Sequence, residues 1–221
     1  KEYRPTKIFS KFSLPNLDTT KEALKLGLPI GFGVFVELSM FSGAALILGS
    51  LGATVISGHT VAINIVSVLF ILPLSFGLAA ATRIGNLVGE KKLHQAKYAS
   101  NIAIFICFAG AILNMVIILI FRDNLVSLYS SDLAVATIAM NLLLFGAIFQ
   151  IPAEMQMGAL GSLRGYKDTF APMLMIILTY WFVALPVGYF LTYFGIFGDP
   201  MGPSGIWIGM ITGLTIFAGL I

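Results

Sequence analysis

The 221-residue sequence is 58% hydrophobic and 10% charged, and it carries a formal net charge of +3. Soluble domains carry about 25% charged residues, and one water-soluble core of this size could not enclose so much apolar surface. The composition therefore excludes a soluble domain and predicts an all-α integral membrane protein. The basic residues fall in short runs between apolar stretches, a pattern that argues against a nucleic-acid-binding surface.

Residues 1–23 are polar and basic, and the apolar part of the chain begins at residue 24. Asp18 is placed to cap a helix that runs directly into this apolar part. A helix needs about 20 apolar residues to cross the hydrocarbon core of a bilayer. Six stretches are long enough, and they predict transmembrane helices at residues 24–48, 57–85, 98–121, 133–161, 169–195 and 204–221. The sequence stops inside the last stretch, so we expect a truncated helix and a longer parent polypeptide.

The basic residues predict the orientation of these spans. They precede the first span, follow the second and follow the fourth, and these connections lie on one side of the membrane. The opposite side carries Arg122 as its single basic residue. By the positive-inside rule, we expect the start of the chain and the loops near residues 86–97 and 162–168 to be cytoplasmic, in a multi-pass protein of the cell (inner) membrane.

Proline and glycine within the spans predict a closely packed bundle with kinked helices. A proline inside a helix frees a carbonyl, which neighbouring helices can satisfy in a membrane. Glycine pairs such as Gly158 and Gly161 let helices approach closely. Both a bundle that bends and a static bundle fit these residues, of which the prolines are Pro29, Pro73, Pro152, Pro172 and Pro186.

Two acidic residues, Glu37 and Glu154, lie deep in predicted spans, while the others lie at span ends or in loops. A charged side chain at a helix centre costs about 2.5–3.5 kcal/mol on insertion scales, so it usually faces the bundle interior or a wet cavity. Such a carboxylate suits a group that binds and releases H⁺ or Na⁺. The alternative is a glutamic acid that donates one interhelical hydrogen bond. Both residues are therefore candidate cation-binding groups.

Enzyme signatures are missing from the sequence. It has no GxxxxGK[ST] loop for nucleotide phosphates, and its single cysteine and two distant histidines form no convincing metal constellation. Ser57 and His59 are two residues apart, so on a helix they point away from each other. An intramembrane enzyme thus lacks a nucleophile–base pair, and we expect neither an enzyme nor a cofactor.

Three stretches carry a resemblance to a known family. Residues 58–99 combine Ala62, Asn64 and a mid-helix Pro73 with an Arg-x-Gly-x-x-x-Gly motif that starts at Arg83. The fourth span ends in "LRGYKD", residues 163–168, and the first span opens with "ALKLGLPIGFGVFVE", residues 23–37. Together they resemble the multidrug and toxic compound extrusion (MATE) family, and its NorM-like bacterial branch in particular.

The resemblance implies a transporter of twelve helices in two six-helix lobes. Residues 24–221 would be the C-terminal lobe, helices seven to twelve, and residues 1–23 the cytoplasmic linker between the lobes. The family exchanges Na⁺ or H⁺ for cationic, aromatic drugs. The implied partners are membrane lipid, the N-terminal lobe and small cationic organic substrates. Glu37 falls where NorM-like members carry a cation-site glutamate, so the resemblance implies that Glu37 binds the coupling cation, with a possible Na⁺ site there.

The fourth span, helix ten of the family, departs from the pattern. NorM-like members have an aspartate three residues before the glutamine matched by Gln156, and a tyrosine one turn earlier. Here those positions are Ala153 and Phe149. Glu154 is one place along, about 100° around the helix, so the choice between Na⁺ and H⁺ stays open. The candidate residues of the substrate cavity are Asn64, Phe149, Gln150 and Gln156.

Two other functions remain open at this point. A lipid-linked oligosaccharide flippase of the same superfamily would need a cationic cavity for its diphosphate, and the sequence shows no basic residue deep in a span. A non-transporting scaffold lobe would tolerate a neutral residue in place of Glu37.

Overall fold

The computed structural model describes residues 16–195 and 198–221, and these residues form six helices long and apolar enough to cross a membrane. The six predicted spans are confirmed, and the first four helices extend past the apolar stretches at one or both ends. In chain order the helices are α1 Leu17–Gly49, α2 Ala53–Gly89, α3 Leu93–Ser127, α4 Leu133–Gly165, α5 Phe170–Tyr193 and α6 Pro203–Leu220.

Helix α1 begins inside the segment that we expected to be a linker. Its cap is Asn16, whose side-chain oxygen accepts a hydrogen bond from the backbone N–H of Asp18 at 3.0 Å. Asp18 therefore lies within the first turn, where the positive end of the helix dipole stabilises its carboxylate. Residues 1–15 of the expected linker lie outside the described residues, so its boundary stays a prediction.

Helices α2 and α4 end in the same way. Lys91 and Lys167 both adopt a left-handed backbone, with φ of 59° and 64°. In each case the next residue donates its N–H to a carbonyl five residues back, Lys92 to Leu87 and Asp168 to Leu163, both at 2.9 Å. These bonds satisfy carbonyls that the helix end leaves without a partner, and they turn the chain sharply into the next helix.

Helix α4 occupies the middle of the bundle. It packs along α2 and α3 on one side and along α6 on another, while α5 packs between α6 and α1. The largest fully buried side chains include Trp207 of α6, Tyr180 of α5 and Met40 of α1. Large apolar side chains cover the outside of the bundle, as expected for helices surrounded by lipid.

The approach of α2 to α4 depends on two facing glycines. A Cβ atom at Gly77 would lie 2.7 Å from the Met157 carbonyl oxygen, and one at Gly161 would overlap the Gly77 carbonyl. Neither position has room for a side chain, because the obstacle is backbone. The close approach sets how α4 presents its remaining faces to α1, α3 and α5.

Helix α5 contains a wide π-helical segment, Ile177–Ala184, that the sequence analysis did not predict. Pro186 follows directly in the last part of the helix, Leu185–Tyr193. Proline has no N–H, and its ring clashes with the carbonyl four residues earlier, here that of Phe182. The helix avoids this clash by widening into a π-helix. The sequence had predicted a simple kink at Pro186.

We predict that Gly161→Ala destabilises the protein. The new methyl group must push α2 away from α4, and overpacking of this kind costs about 1–3 kcal/mol. Thermal unfolding in detergent measures the effect. Gly89→Ala is the matched control, since no atom lies within 4 Å of the added Cβ. Equal melting temperatures for the two variants would contradict the close α2–α4 contact.

Candidate functional site

A cavity of about 290 Å³ opens between α1, α2 and α4. Its walls are mainly apolar and include Phe41 of α1, Phe70 of α2 and Phe149 of α4. Two charged side chains, Glu37 and Arg164, also line it. The cavity thus combines aromatic surface with one negative group within the apolar span of α1 and one positive group near the end of α4.

Glu37 reaches this cavity because of its place on α1. It is half-buried and lies on the same helix face as Val34, Leu38 and Phe41, which also line the cavity. The adjacent face of α1, which includes Val36 and Met40, is buried against the rest of the bundle. Among the described residues, no side chain forms a hydrogen bond or ion pair with the Glu37 carboxylate.

Arg164 is a site residue that the sequence analysis missed. We expected it in a cytoplasmic loop, but α4 continues through Gly165 and holds Arg164 in its last turn, half-buried at the cavity wall. A basic residue in the last turn also complements the negative end of the helix dipole. The sequence "LRGYK" contained a signal for this placement. The helix ends after its glycine, so Arg164 still belongs to α4 and Lys167 lies beyond its end.

Of the four residues predicted to line a substrate cavity, Phe149 lines this cavity, whereas Asn64, Gln150 and Gln156 lie elsewhere. Phe149 lines the cavity and packs edge-on against Phe41, with ring centroids 6.2 Å apart. Asn64 is exposed and donates to the Thr60 carbonyl at 2.7 Å. Gln150 is fully buried, and neither of its amide atoms has a partner among the described residues.

Gln156 faces α5 rather than the cavity. Its oxygen accepts a hydrogen bond from the Tyr180 hydroxyl at 2.6 Å, and both side chains are buried. Tyr180 lies in the π-helical segment, and the next residue, Trp181, donates from its indole nitrogen to Ser39 of α1 at 2.9 Å. The wide segment therefore directs consecutive side chains to α4 and to α1.

Glu154 lies on yet another face of α4. Its side chain is fully buried, and Oε1 accepts a hydrogen bond from the Asn114 amide of α3 at 2.7 Å. Ala153, the preceding residue, lines the cavity with Glu37. One residue along α4 is about 100° around the helix, so these neighbours face different surroundings. The two intramembrane glutamates thus belong to two distinct environments.

The fold and the cavity define a polytopic α-helical membrane protein with charged side chains inside its membrane-spanning bundle. The chain belongs to the MATE family, because the MatE family model matches residues 29–190. It is 38% identical over 213 residues to the multidrug resistance protein PmpM of Pseudomonas aeruginosa, covering 96% of this chain and 45% of that protein.

Other relatives give the same picture. The chain is 40% identical over 216 residues to the probable multidrug resistance protein NorM of Acinetobacter baylyi, covering 98% of this chain and 47% of that one. The chain spans about half the length of the curated relatives it matches.

Solved structures support the fold. The eukaryotic MATE transporter AtDTX14 superposes with a TM-score of 0.86 at 23% identity, over 99% of this chain and 50% of that one. An outward-facing multidrug resistance MATE family transporter superposes with a TM-score of 0.85 at 18% identity, over 95% of this chain and 46% of that one. The bundle therefore has the architecture of one six-helix half of a MATE protein.

We predict that Tyr180→Phe destabilises the protein by about 1–3 kcal/mol, because it leaves the buried Gln156 oxygen without a donor. The double variant Tyr180→Phe with Gln156→Leu should recover part of this loss, since both polar partners are then removed. A double-mutant cycle of thermal stability in detergent measures the coupling. Tyr189→Phe is the control at an exposed tyrosine of the same helix. Strictly additive effects would contradict the hydrogen bond.

Proposed function

We propose that this chain is one lobe of a cation-coupled antiporter that exports cationic, aromatic drugs and other toxic compounds. The observation that carries the proposal is the carboxylate of Glu37 at the wall of a cavity lined by aromatic side chains. Aromatic faces attract organic cations, and a carboxylate in the same cavity suits either a cationic drug or the coupling ion. The names of relatives, multidrug resistance proteins, support this transport role over an enzymatic one.

Coupling follows from competition at Glu37. A cation that moves inward down the membrane potential supplies about 2.3 kcal/mol per elementary charge per 100 mV. When the cation neutralises Glu37, the cavity loses the negative charge that favours a cationic drug. Binding alone would couple nothing, because a ligand shifts a conformational equilibrium only by its differential affinity for the two states. The second lobe would supply the other wall of the substrate path, so we expect no transport from this lobe alone.

The coupling ion is Na⁺ or H⁺, and the proposal assigns it to Glu37. Glu154 is the second acidic residue deep in a membrane span, but it does not line the cavity and instead contacts Asn114 of α3. We further propose that the protein lies in the bacterial inner membrane with the start of α1 and the α2–α3 and α4–α5 loops in the cytoplasm. The ion pair between Glu22 and Lys167, at 2.6 Å, supports their common side, since it joins the first turns of α1 to the α4–α5 loop.

A lipid-linked oligosaccharide flippase is the second candidate, and Arg164 is the observation that favours it. A diphosphate needs cationic partners, and Arg164 supplies one in the cavity. Glu37 in the same cavity would repel a diphosphate, however, and the other walls are largely apolar. The cavity therefore fits an organic cation better than an anionic lipid headgroup.

We predict that Glu37→Gln abolishes gradient-driven drug export. A fluorescent cationic dye would be added outside everted vesicles that contain the two-lobe protein, with Na⁺ or H⁺ at higher concentration in the lumen. Because the cytoplasmic face of these vesicles is outside, export is measured as dye entering the lumen. Wild-type protein should export the dye under one gradient, and Glu37→Gln should fall to the level of empty vesicles because no carboxylate remains to bind the ion.

Glu22→Gln is the matched control for this experiment. Glu22 lies on the same helix but is exposed and paired with Lys167, so its export rate should stay close to the wild-type rate. Export by folded Glu37→Gln protein at the wild-type rate would contradict the proposal and favour a scaffold role. Absence of dye export by wild-type protein under either gradient would contradict the proposal and favour the flippase.

A further inference from the structure

Pro73 lies inside α2, where a proline favours a kink and leaves one carbonyl in need of a donor from outside the helix. Proline has no N–H, so the carbonyl four residues earlier, that of Leu69, lacks its normal intrahelical donor. Inside an apolar bundle, an unsatisfied carbonyl is costly. The structure provides the missing donor from α3, where the side-chain nitrogen of Asn114 lies 3.1 Å from the Leu69 oxygen.

The same nitrogen of Asn114 also donates to Glu154 of α4, at 2.7 Å from Oε1. A side-chain amide nitrogen carries two N–H groups, and these two bonds use both. Asn114 therefore links the kink carbonyl of α2 directly to a carboxyl group of α4. A change in the Glu154 carboxyl acts on the kink through one side chain.

The surroundings of Glu154 accommodate a neutral acid. The side chain is fully buried, and Oε2 has no hydrogen-bond partner among the described residues. This oxygen faces Gly110 of α3 so closely that a Cβ atom there would lie 3.1 Å away. An ionised carboxylate would hold an unpaired charge at this oxygen, which a dry interior tolerates only at high cost. Ionisation would require water or a new partner, and hence a separation of the helices.

The other face of the kink borders the drug cavity. Ser67, Phe70 and Leu74 of α2 line the cavity with Glu37, and they flank Leu69 and Pro73 in the sequence. The kink thus has Asn114 and Glu154 behind it and the cavity in front of it. A change in its angle changes the shape of the cavity wall.

We propose that Glu154 is a proton-binding group, separate from Glu37, that sets the Pro73 kink through Asn114. In the neutral form the Asn114 amide bridges Leu69 and Glu154, as in this structure, and holds α2 in its present shape at Pro73. In the ionised form this bridge opens and α2 changes its bend. The effect on transport rests on the proposed function, but the proton site and the kink do not.

The other groups around Glu154 can be separated from it by mutation. The titratable side chain that α3 directs toward this region is Cys107, whose sulfur lies 3.9 Å from the Pro73 carbonyl oxygen. Helix α2 contributes the carbonyls of Leu69 and Pro73. Glu37 of α1 and Tyr180 of α5 belong to the cavity and to the Gln156 face of α4.

The test measures the bend of α2 directly. Spin labels at Thr60→Cys and Leu78→Cys, both exposed positions on α2, would lie about 27 Å apart along a straight helix. Cys107→Ala removes the native thiol, so the cysteine neither takes up label nor contributes a titration. Pulsed electron paramagnetic resonance in nanodiscs gives the label-to-label distance of the two-lobe protein between acidic and alkaline pH.

We expect the distance in this background to shift as pH rises. Glu154→Gln keeps an acceptor for Asn114 and should show the low-pH distance at every pH. Asn114→Ala should remove the pH dependence by leaving Leu69 without its donor. Glu37→Gln should abolish export yet keep the full shift, which distinguishes this inference from the proposed function. A shift that persists in Glu154→Gln, or no shift in the background protein, would overturn the inference.

Discussion

The close contact of α2 and α4 positions everything else in this lobe. Gly77 and Gly161 bring the two backbones together where no side chain fits. In lipid, apolar surface gains little by leaving its surroundings, so packing of this kind and interhelical hydrogen bonds hold helices together. Because α4 is fixed against α2, the rotation of α4 determines which neighbour each of its other faces contacts. Ala153 lines the cavity that Glu37 also lines, Glu154 contacts α3, and Gln156 contacts α5.

Two buried polar side chains of α4 have hydrogen-bond partners on different neighbouring helices. Asn114 of α3 donates a hydrogen bond to Glu154, and Tyr180 of α5 donates one to Gln156. Because water does not reach the hydrocarbon region, a hydrogen-bond partner from another helix stabilises a polar side chain there. These bonds therefore specify which face of α4 meets which helix, beyond what the close packing alone requires. Glu37 differs, since it stays at a cavity wall without such a partner among the described residues, which suits a group that exchanges ligands.

Two prolines have different consequences because their neighbours differ. At Pro73 the α-helix continues without interruption, and a side chain from α3 satisfies the freed carbonyl. Before Pro186 the helix widens into a π-helical segment that redirects Tyr180 and Trp181. Residues beside Pro73 line the cavity, and the π-helical segment before Pro186 contacts α4 and α1. The missing N–H of proline is thus accommodated in two ways, by a donor from a neighbouring helix at Pro73 and by a wider helix before Pro186.

The sequence by itself determined the membrane class, the six spans and the family, because hydrophobic length and short motifs are local properties. It also identified Glu37 and Glu154 as exceptional, since a carboxylate in an apolar stretch is visible without a structure. Only the tertiary structure decided that these two residues belong to separate environments, that Arg164 stays in α4 at the cavity, and that Tyr180 reaches Gln156. Those outcomes depend on helix rotation and on where each helix ends. A rotation of about 100° per residue moves a side chain from one neighbour to another, and close contacts between distant parts of the chain fix that rotation.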